Sequence, residues 1–219
     1  MEGYATEEQQ VEAIKKWWKK NGSNAITAGL LVLAVIFGGQ AWMGYRNADR
    51  ESASAEYEAM MQSLQAGEND AAFSRGDTLL QKYSSTPYAT LAAFALSKLK
   101  IDANEPVAAE AHLRWILQND SDDNIQMVAK LRLARVLLAQ QKYDDALAVV
   151  PAGDSGSFKS SFDEVKGDIY LAKGDKKSAQ EAYRQALQSL PVNSNSRQLL
   201  QMKLDDFGTS ETSVGENNS

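Results

Sequence analysis

The stretch Asp163-Glu-Val-Lys-Gly-Asp-Ile-Tyr-Leu-Ala-Lys-Gly-Asp-Lys-Lys-Ser-Ala-Gln-Glu-Ala-Tyr-Arg-Gln-Ala-Leu-Gln-Ser-Leu-Pro191 decides the fold. It reads as two helices around a Lys173-Gly-Asp175 break, with Gly167, Tyr170, Ala179, Tyr183 and Ala186 at spaced positions and a proline at the end. The pattern recurs upstream. Thirty-three residues earlier stand Leu133, Ala134, Leu137, Tyr143, Ala146 and Val150, with Gln140-Gln-Lys142 in place of the turn. Thirty-seven residues before that stand Leu96, Ser97, Asn104, Ala109, Leu113, Ile116 and Leu117. Helices near 55–64 and 71–82 make an earlier pair without a clear consensus. Further breaks fall at Gly67–Asp70, Ser84–Pro87, Asn104–Pro106, Asn119–Asn124, Gly153–Ser157 and Pro191–Ser194. Strand signals are missing, because β-branched residues are scattered and no alternating run persists. The sequence therefore predicts an all-α fold.

These spacings resemble the tetratricopeptide repeat. In that family a small residue, here Gly167, lets two helices cross, an aromatic fills the gap, and alanines seat the second helix. Asp163 stands where the family usually has Trp, and Lys166 where it usually has Leu. One such hairpin cannot bury its apolar face alone, so neighbours stack into a solenoid. A last helix over 197–207 puts Leu200, Leu204 and Phe207 on one face and caps the open end. The segment 208–219 is polar and predicted to be disordered.

Working towards the N-terminus, 21–45 contains no charged residue, and 25–45 has about the length a bilayer requires. Eight of its residues are Ile, Leu, Val or Phe, each favouring insertion by roughly 0.3–0.6 kcal/mol. Lys15, Lys16, Lys19 and Lys20 precede the span, and only Arg46 and Arg50 follow closely, with Asp49 and Glu51 flanking the latter. The positive-inside rule then places residues 1–24 in the cytoplasm and 46–207 outside. Trp17, Trp18, Trp42 and Tyr45 bracket the span as interfacial aromatics. Gly39 and Ala41 could instead serve a signal-peptide cleavage site, but the preceding segment is long and carries Glu2, Glu7, Glu8 and Glu12. There Val11, Ile14 and Trp18 predict a short amphipathic helix at a membrane surface. Ala34, Gly38 and Ala41 share one face of the span, where another transmembrane helix could approach closely.

The net charge of −6 belongs to the part after residue 24, since 1–24 balances to zero. An acidic domain lacks the basic footprint that nucleic acid requires. The absence of cysteine excludes disulfides and thiol catalysis. Gly153-Asp-Ser-Gly156 looks like a serine-protease nucleophile motif, with His112 upstream. That chemistry needs a positioned base, an orienting acid and an oxyanion hole, and the motif falls in a loop between helices. No enzyme activity is therefore expected. His112 is the only histidine, which speaks against a metal site. Asp120, Asp122 and Asp123 lack the central glycine and closing glutamate of a calcium loop. No phosphate-binding loop is present, and no cofactor is expected.

Taken together, Gln10-Val-Glu-Ala-Ile14 with the following lysines and aromatic pair, Asn21-Gly22 leading into the span, Leu131-Arg-Leu-Ala-Arg-Val136, Lys173-Gly-Asp-Lys176 and Leu200-Gln-Met-Lys203 resemble the YfgM-type ancillary subunits of the SecYEG translocon of Gram-negative bacteria. The likeness runs from about Tyr4 to Phe207. It implies a single-pass inner-membrane protein with a short cytoplasmic N-terminus and a periplasmic repeat domain. It also implies partnership with SecYEG and the membrane-anchored chaperone PpiD, and a role in passing exported polypeptides to periplasmic chaperones. First helices of such repeats usually line a concave surface. In the register above, that surface carries Leu91, Phe94, Leu131, Arg135, Leu138 and Leu171, apolar groups with one cation suited to a partner helix or an unfolded segment. An envelope-assembly or division scaffold, or a regulator acting through 1–24, remain alternatives at this level.

Overall fold

A computed structural model describes residues 7–153, 155–191 and 193–215, and among them every regular element is helical. The helices are α1 (Glu7–Gln65), α2 (Asn69–Lys82), α3 (Pro87–Asp102), α4 (Pro106–Asn119), α5 (Asp123–Ala139), α6 (Tyr143–Val149), α7 (Lys159–Ala172), α8 (Lys176–Ser189) and α9 (Ser196–Gly215). A 3₁₀ turn over Gly156–Phe158 leads into α7. The chain divides into two compact units, 1–52 and 53–219.

In the first unit, α1 contains a stretch long and apolar enough to cross a membrane, with a mean hydropathy of 1.8 and no burial. The separate amphipathic helix expected before the span is instead the opening of α1. Asn21 and Gly22 do not break it. One glycine inside a helix costs only about 1 kcal/mol, and the Trp18 indole lies over Gly22, with Nε1 3.3 Å from where a Cβ would stand. Val11, Ile14, Trp17 and Trp18 are exposed.

The second unit is a series of helical hairpins, and the turn that closes each is the same device. Gly67, Asn104, Gln141 and Gly174 all have positive φ, at 74°, 59°, 61° and 83°. The next N–H in each turn bonds back to a carbonyl in the closing turn of the preceding helix: Glu68 to Ser63, Glu105 to Lys100, Lys142 to Leu137, Asp175 to Tyr170. This left-handed helix stop satisfies carbonyls that would otherwise lack partners and reverses the chain within a few residues. Helix starts are equally local. Proline opens α3 and α4, where its missing N–H costs nothing. The Asp122 carboxylate accepts from the N–H groups of Asn124 and Ile125 to cap α5, and Asp175 accepts from Ser178 N–H to cap α8.

At one register before these turns stand Met60, Ser97, Ala134 and Gly167, and at one register after stand Gly76, Leu113, Val150 and Tyr183; all are buried. At Gly167 the helices approach so closely that a Cβ would lie 2.4 Å from Cε1 of Tyr183. This is the close crossing expected there. At Gly76 a Cβ would lie 2.7 Å from Cδ1 of Leu96. The largest core joins α3 to α7 through Leu113, Ile116, Leu133, Leu137, Phe162, Val165 and Ile169. Smaller ones join the end of α1 to α2 and α3 through Met60, Leu79 and Leu96, and α8 to α9 through Tyr183 and Leu200.

The final helix begins one residue before the expected 197 and continues past Phe207 to Gly215, through a segment that the sequence predicts to be disordered. Extending an existing helix fixes one residue per hydrogen bond and avoids the nucleation cost. Side chains from Gly208 onward, and residues 216–219 entirely, lie outside the described set.

Candidate partner-binding groove

Where α3 turns into α4 beside α5, Ile101, Asn104, Pro106, Arg132, Arg135, Val136 and Ala139 line an open cavity of about 280 Å³. Arg132, Arg135, Val136 and Ala139 are spaced so that they share one face of α5. Ile101 is 48% exposed, an isoleucine held half in solvent at the rim. The Arg132 guanidinium lies 4.7 Å from the centroid of the Phe94 ring, a cation–π contact. Backbone groups at the rim are already satisfied, with Lys100 and Ile101 carbonyls accepting from Glu105 and Asn104. Gln140 Nε2 donates to the Pro106 carbonyl and to Glu110, so it too is occupied.

The six residues predicted to form a partner surface divide. Arg135 lines this groove. Leu91, 43% exposed, lines a different, more polar cleft of about 410 Å³ with Pro87, Thr90, Asp120, Asp122 and Ile125. Leu171, 45% exposed, lines a third cleft of about 210 Å³ with Lys176, Lys203, Asp206 and Phe207. Phe94, Leu131 and Leu138 are half-buried against the main core. The structure thus does not gather the six into one cavity. Ile101 and Arg132 were not singled out from sequence, although Arg132 stands one helical turn before Arg135. In the span, Ala34 and Gly38 are exposed and nothing lies within 4 Å of a Cβ at Gly38; the side chain of Ala41 is outside the described set.

Two charged clusters tie the hairpins together. Burial pushes the Glu110 carboxyl up, but hydrogen bonds from Arg114, Lys142 and Gln140 outweigh it and hold the group at about 2. This carboxylate bridges α4 to the α5–α6 turn. At the other end, Lys203 of α9 donates to Glu164 at 2.9 Å and Asp168 at 2.7 Å, both on α7. Asp168 also accepts from the Tyr183 hydroxyl at 2.7 Å. Burial, and then this carboxylate, push the Tyr183 phenol far above its ordinary value, so it remains a donor. Burial works against the Lys203 charge, yet the two carboxylates raise its pKa overall.

The residues of the protease-like string serve the chain's own turn: the Ser155 carbonyl accepts from Phe158 N–H at the entrance to the 3₁₀ turn, and Gly156 has φ of 54°. Asp154 is outside the described residues. His112 is half-buried on α4, where burial and Lys100 lower its pKa against the opposing pull of Asp77.

With this geometry in place, comparison with known proteins is decisive. The tetratricopeptide repeat-like domain family matches residues 15–209. The ancillary SecYEG translocon subunit of Neisseria gonorrhoeae is 34% identical over 214 residues, covering 94% of this chain and all of the relative. The chain belongs to this family. The Haemophilus influenzae member is 32% identical over 92% of this chain and 97% of its own. The Escherichia coli member is 28% identical over 94% of this chain and 99% of its own. No solved structure matches. The resemblance drawn from the sequence is therefore correct, as is the all-α repeat fold with one N-terminal apolar helix.

Proposed function

We propose that the protein is a single-span inner-membrane protein, N-terminus cytoplasmic and repeat domain periplasmic, that associates with the SecYEG translocon and helps pass exported polypeptides to a PpiD-type periplasmic chaperone. It acts by binding rather than catalysis. The observation that carries this reading is end-to-end similarity to chains named as ancillary translocon subunits, extending through both the apolar helix and the repeats. The lysine-rich flank before the span supports the orientation. An open groove with exposed apolar and cationic side chains supports a peptide-binding role. A loop serine whose surroundings form a turn supports the absence of catalysis.

The test is site-specific photocrosslinking in cells, with the reactive residue at Ala34 or Gly38 in the span and at Leu91, Arg135 or Leu171 in the repeats. Translocon subunits captured from the span, and PpiD or exported chains captured from the repeats, are the expected products. Capture of envelope-assembly or division proteins alone would replace this reading with a scaffold.

A further inference from the structure

We infer that the α3–α5 groove binds a polypeptide segment that presents an apolar side chain flanked by two carboxylates about one helical turn apart. The inference rests on the proposed binding role and specifies the chemistry of the partner.

The chain is acidic, at −6 overall, yet the charged side chains lining this groove are both arginines. The carboxylates of the adjoining turn and helix are committed elsewhere: Asp102 to Lys98 at 2.6 Å, Glu105 to Lys100 at 2.8 Å, and Glu110 to Arg114 and Lys142 at 2.7 and 3.0 Å. Among the described residues, neither Arg132 nor Arg135 has a carboxylate within ion-pairing distance. In a protein with 29 acidic residues, two arginines left unpaired side by side are an excess of positive charge at one place.

Geometry then selects the ligand. Arg132 makes a cation–π contact with Phe94, its guanidinium carbon 4.7 Å from the ring centroid, and among the described residues has no ion-pair partner. A guanidinium edge recognises carboxylates through paired N–H donors. Residues three apart on a helix lie roughly 5–6 Å apart at Cβ, so the two cations match carboxylates one helical turn apart on the partner. Beside them Val136 and Ala139, with Ile101 at the rim, offer apolar surface, and the Lys100 and Ile101 carbonyls are already satisfied. At about 280 Å³ the open cavity lies just below the roughly 300–1,000 Å³ of small-molecule sites, which suits a side chain delivered by a longer segment.

The experiment uses the full chain in detergent and a fluorescent helical peptide carrying one leucine between two glutamates a turn apart, with a glutamine twin as control. The glutamate peptide should bind about tenfold or more tightly than its twin, with the preference shrinking as salt rises. Arg135→Glu, at an exposed position, should abolish the preference, and the same variant should prefer a peptide with lysine in place of glutamate. Arg132→Gln should weaken binding of the glutamate peptide without this reversal. Equal binding of the glutamate and glutamine peptides by the native chain would overturn the inference, as would an unchanged preference in Arg135→Glu. Stronger competition by phosphatidylglycerol vesicles than by free glutamate peptide, or salt-sensitive self-association lost in Arg135→Glu, would overturn the commitment to a partner polypeptide. Co-purification of SecYEG, measured in parallel, separates the two readings: its loss defeats the proposed association whatever the peptide does, and its persistence with equal peptide binding defeats only the groove.

Discussion

Replacing Gly167 by alanine tests the repeat register at its tightest point. The new methyl would meet Tyr183 at 2.4 Å from Cε1, 2.5 Å from Cδ1 and 2.9 Å from Cζ. Carbon atoms pack at about 3.5–4.0 Å, so the ring must retreat by roughly 1 Å. It has little freedom to do so. Tyr183 is 1% exposed, its hydroxyl is held by Asp168, and the Phe207 ring lies 6.0 Å away. Overpacking of this kind costs about 1–3 kcal/mol, offset by about 1 kcal/mol from replacing glycine within a helix. The expected net loss is ~0–2 kcal/mol. Urea unfolding of the full chain in detergent, followed by circular dichroism, measures it as a lower midpoint at unchanged slope. The same substitution in a Tyr183→Leu background removes the obstacle, and there it should be neutral or stabilising. A coupling of about 1 kcal/mol or more between the two sites is therefore expected. Equal destabilisation in both backgrounds would show that the ring is not what the glycine accommodates.

The other predictions concern turns, charge and topology. Gln141→Gly should raise stability by about 0.5–1 kcal/mol, because a side chain at φ 61° is strained, whereas Asn104→Gly should stay within a few tenths because asparagine tolerates that region. Thermal melts of the two variants compare them directly. The depressed Glu110 pKa means that its contribution is fully present above about 4.5 and is lost as the pH falls towards about 2. Glu110→Gln should therefore be less stable than the native chain at pH 7, with the gap closing across that acidic window in urea titrations. Ser155→Ala should leave labelling by serine-directed phosphonate probes unchanged, and labelling lost in that variant would expose a catalytic serine. Single cysteines replacing Ser23 and Ser157 should report opposite sides of the membrane, only the latter reacting with an impermeant thiol reagent in intact spheroplasts.

The hairpins were legible because their turns are written locally. Gly174, Asn104 and the Gln140–Lys142 segment mark left-handed stops that need no knowledge of the rest of the chain. The first hairpin was harder to see for a physical reason. It places large Met60 where later repeats have Ser97, Ala134 and Gly167, and small Gly76 where they have Leu113, Val150 and Tyr183. Volume is redistributed between the positions, so a consensus search finds neither. Continuity of α1 through Asn21-Gly22 is hard to read because a single glycine costs a helix only about 1 kcal/mol and so marks a break no better than it marks a tolerated interior position. Arg132 is illegible because an arginine on an amphipathic helix looks the same whether solvated or in contact with Phe94 across a repeat boundary. Leu131 and Leu138 lie half-buried against the main core, a division between packing and surface that helical spacing alone does not resolve.

The polar clasp of α9 has a consequence for how the molecule behaves in a crowd. A stack of identical folding units is, in principle, an unfinished polymer: the surface that receives each new hairpin is offered again by the last one. Here that surface is closed by Leu200, Leu204 and Phe207, while Lys203 is spent on Glu164 and Asp168. The outward side of α9 carries Gln201, Asp205 and Asp206 beside exposed Leu199 and Met202. Shorn of α9, the chain would expose Tyr183, Ala179 and Ala186, which Leu200, Leu204 and Phe207 now cover. The last helix thus ends the stack by spending one apolar face on the core around Tyr183, and what it returns to solvent is Leu199 and Met202 among polar side chains.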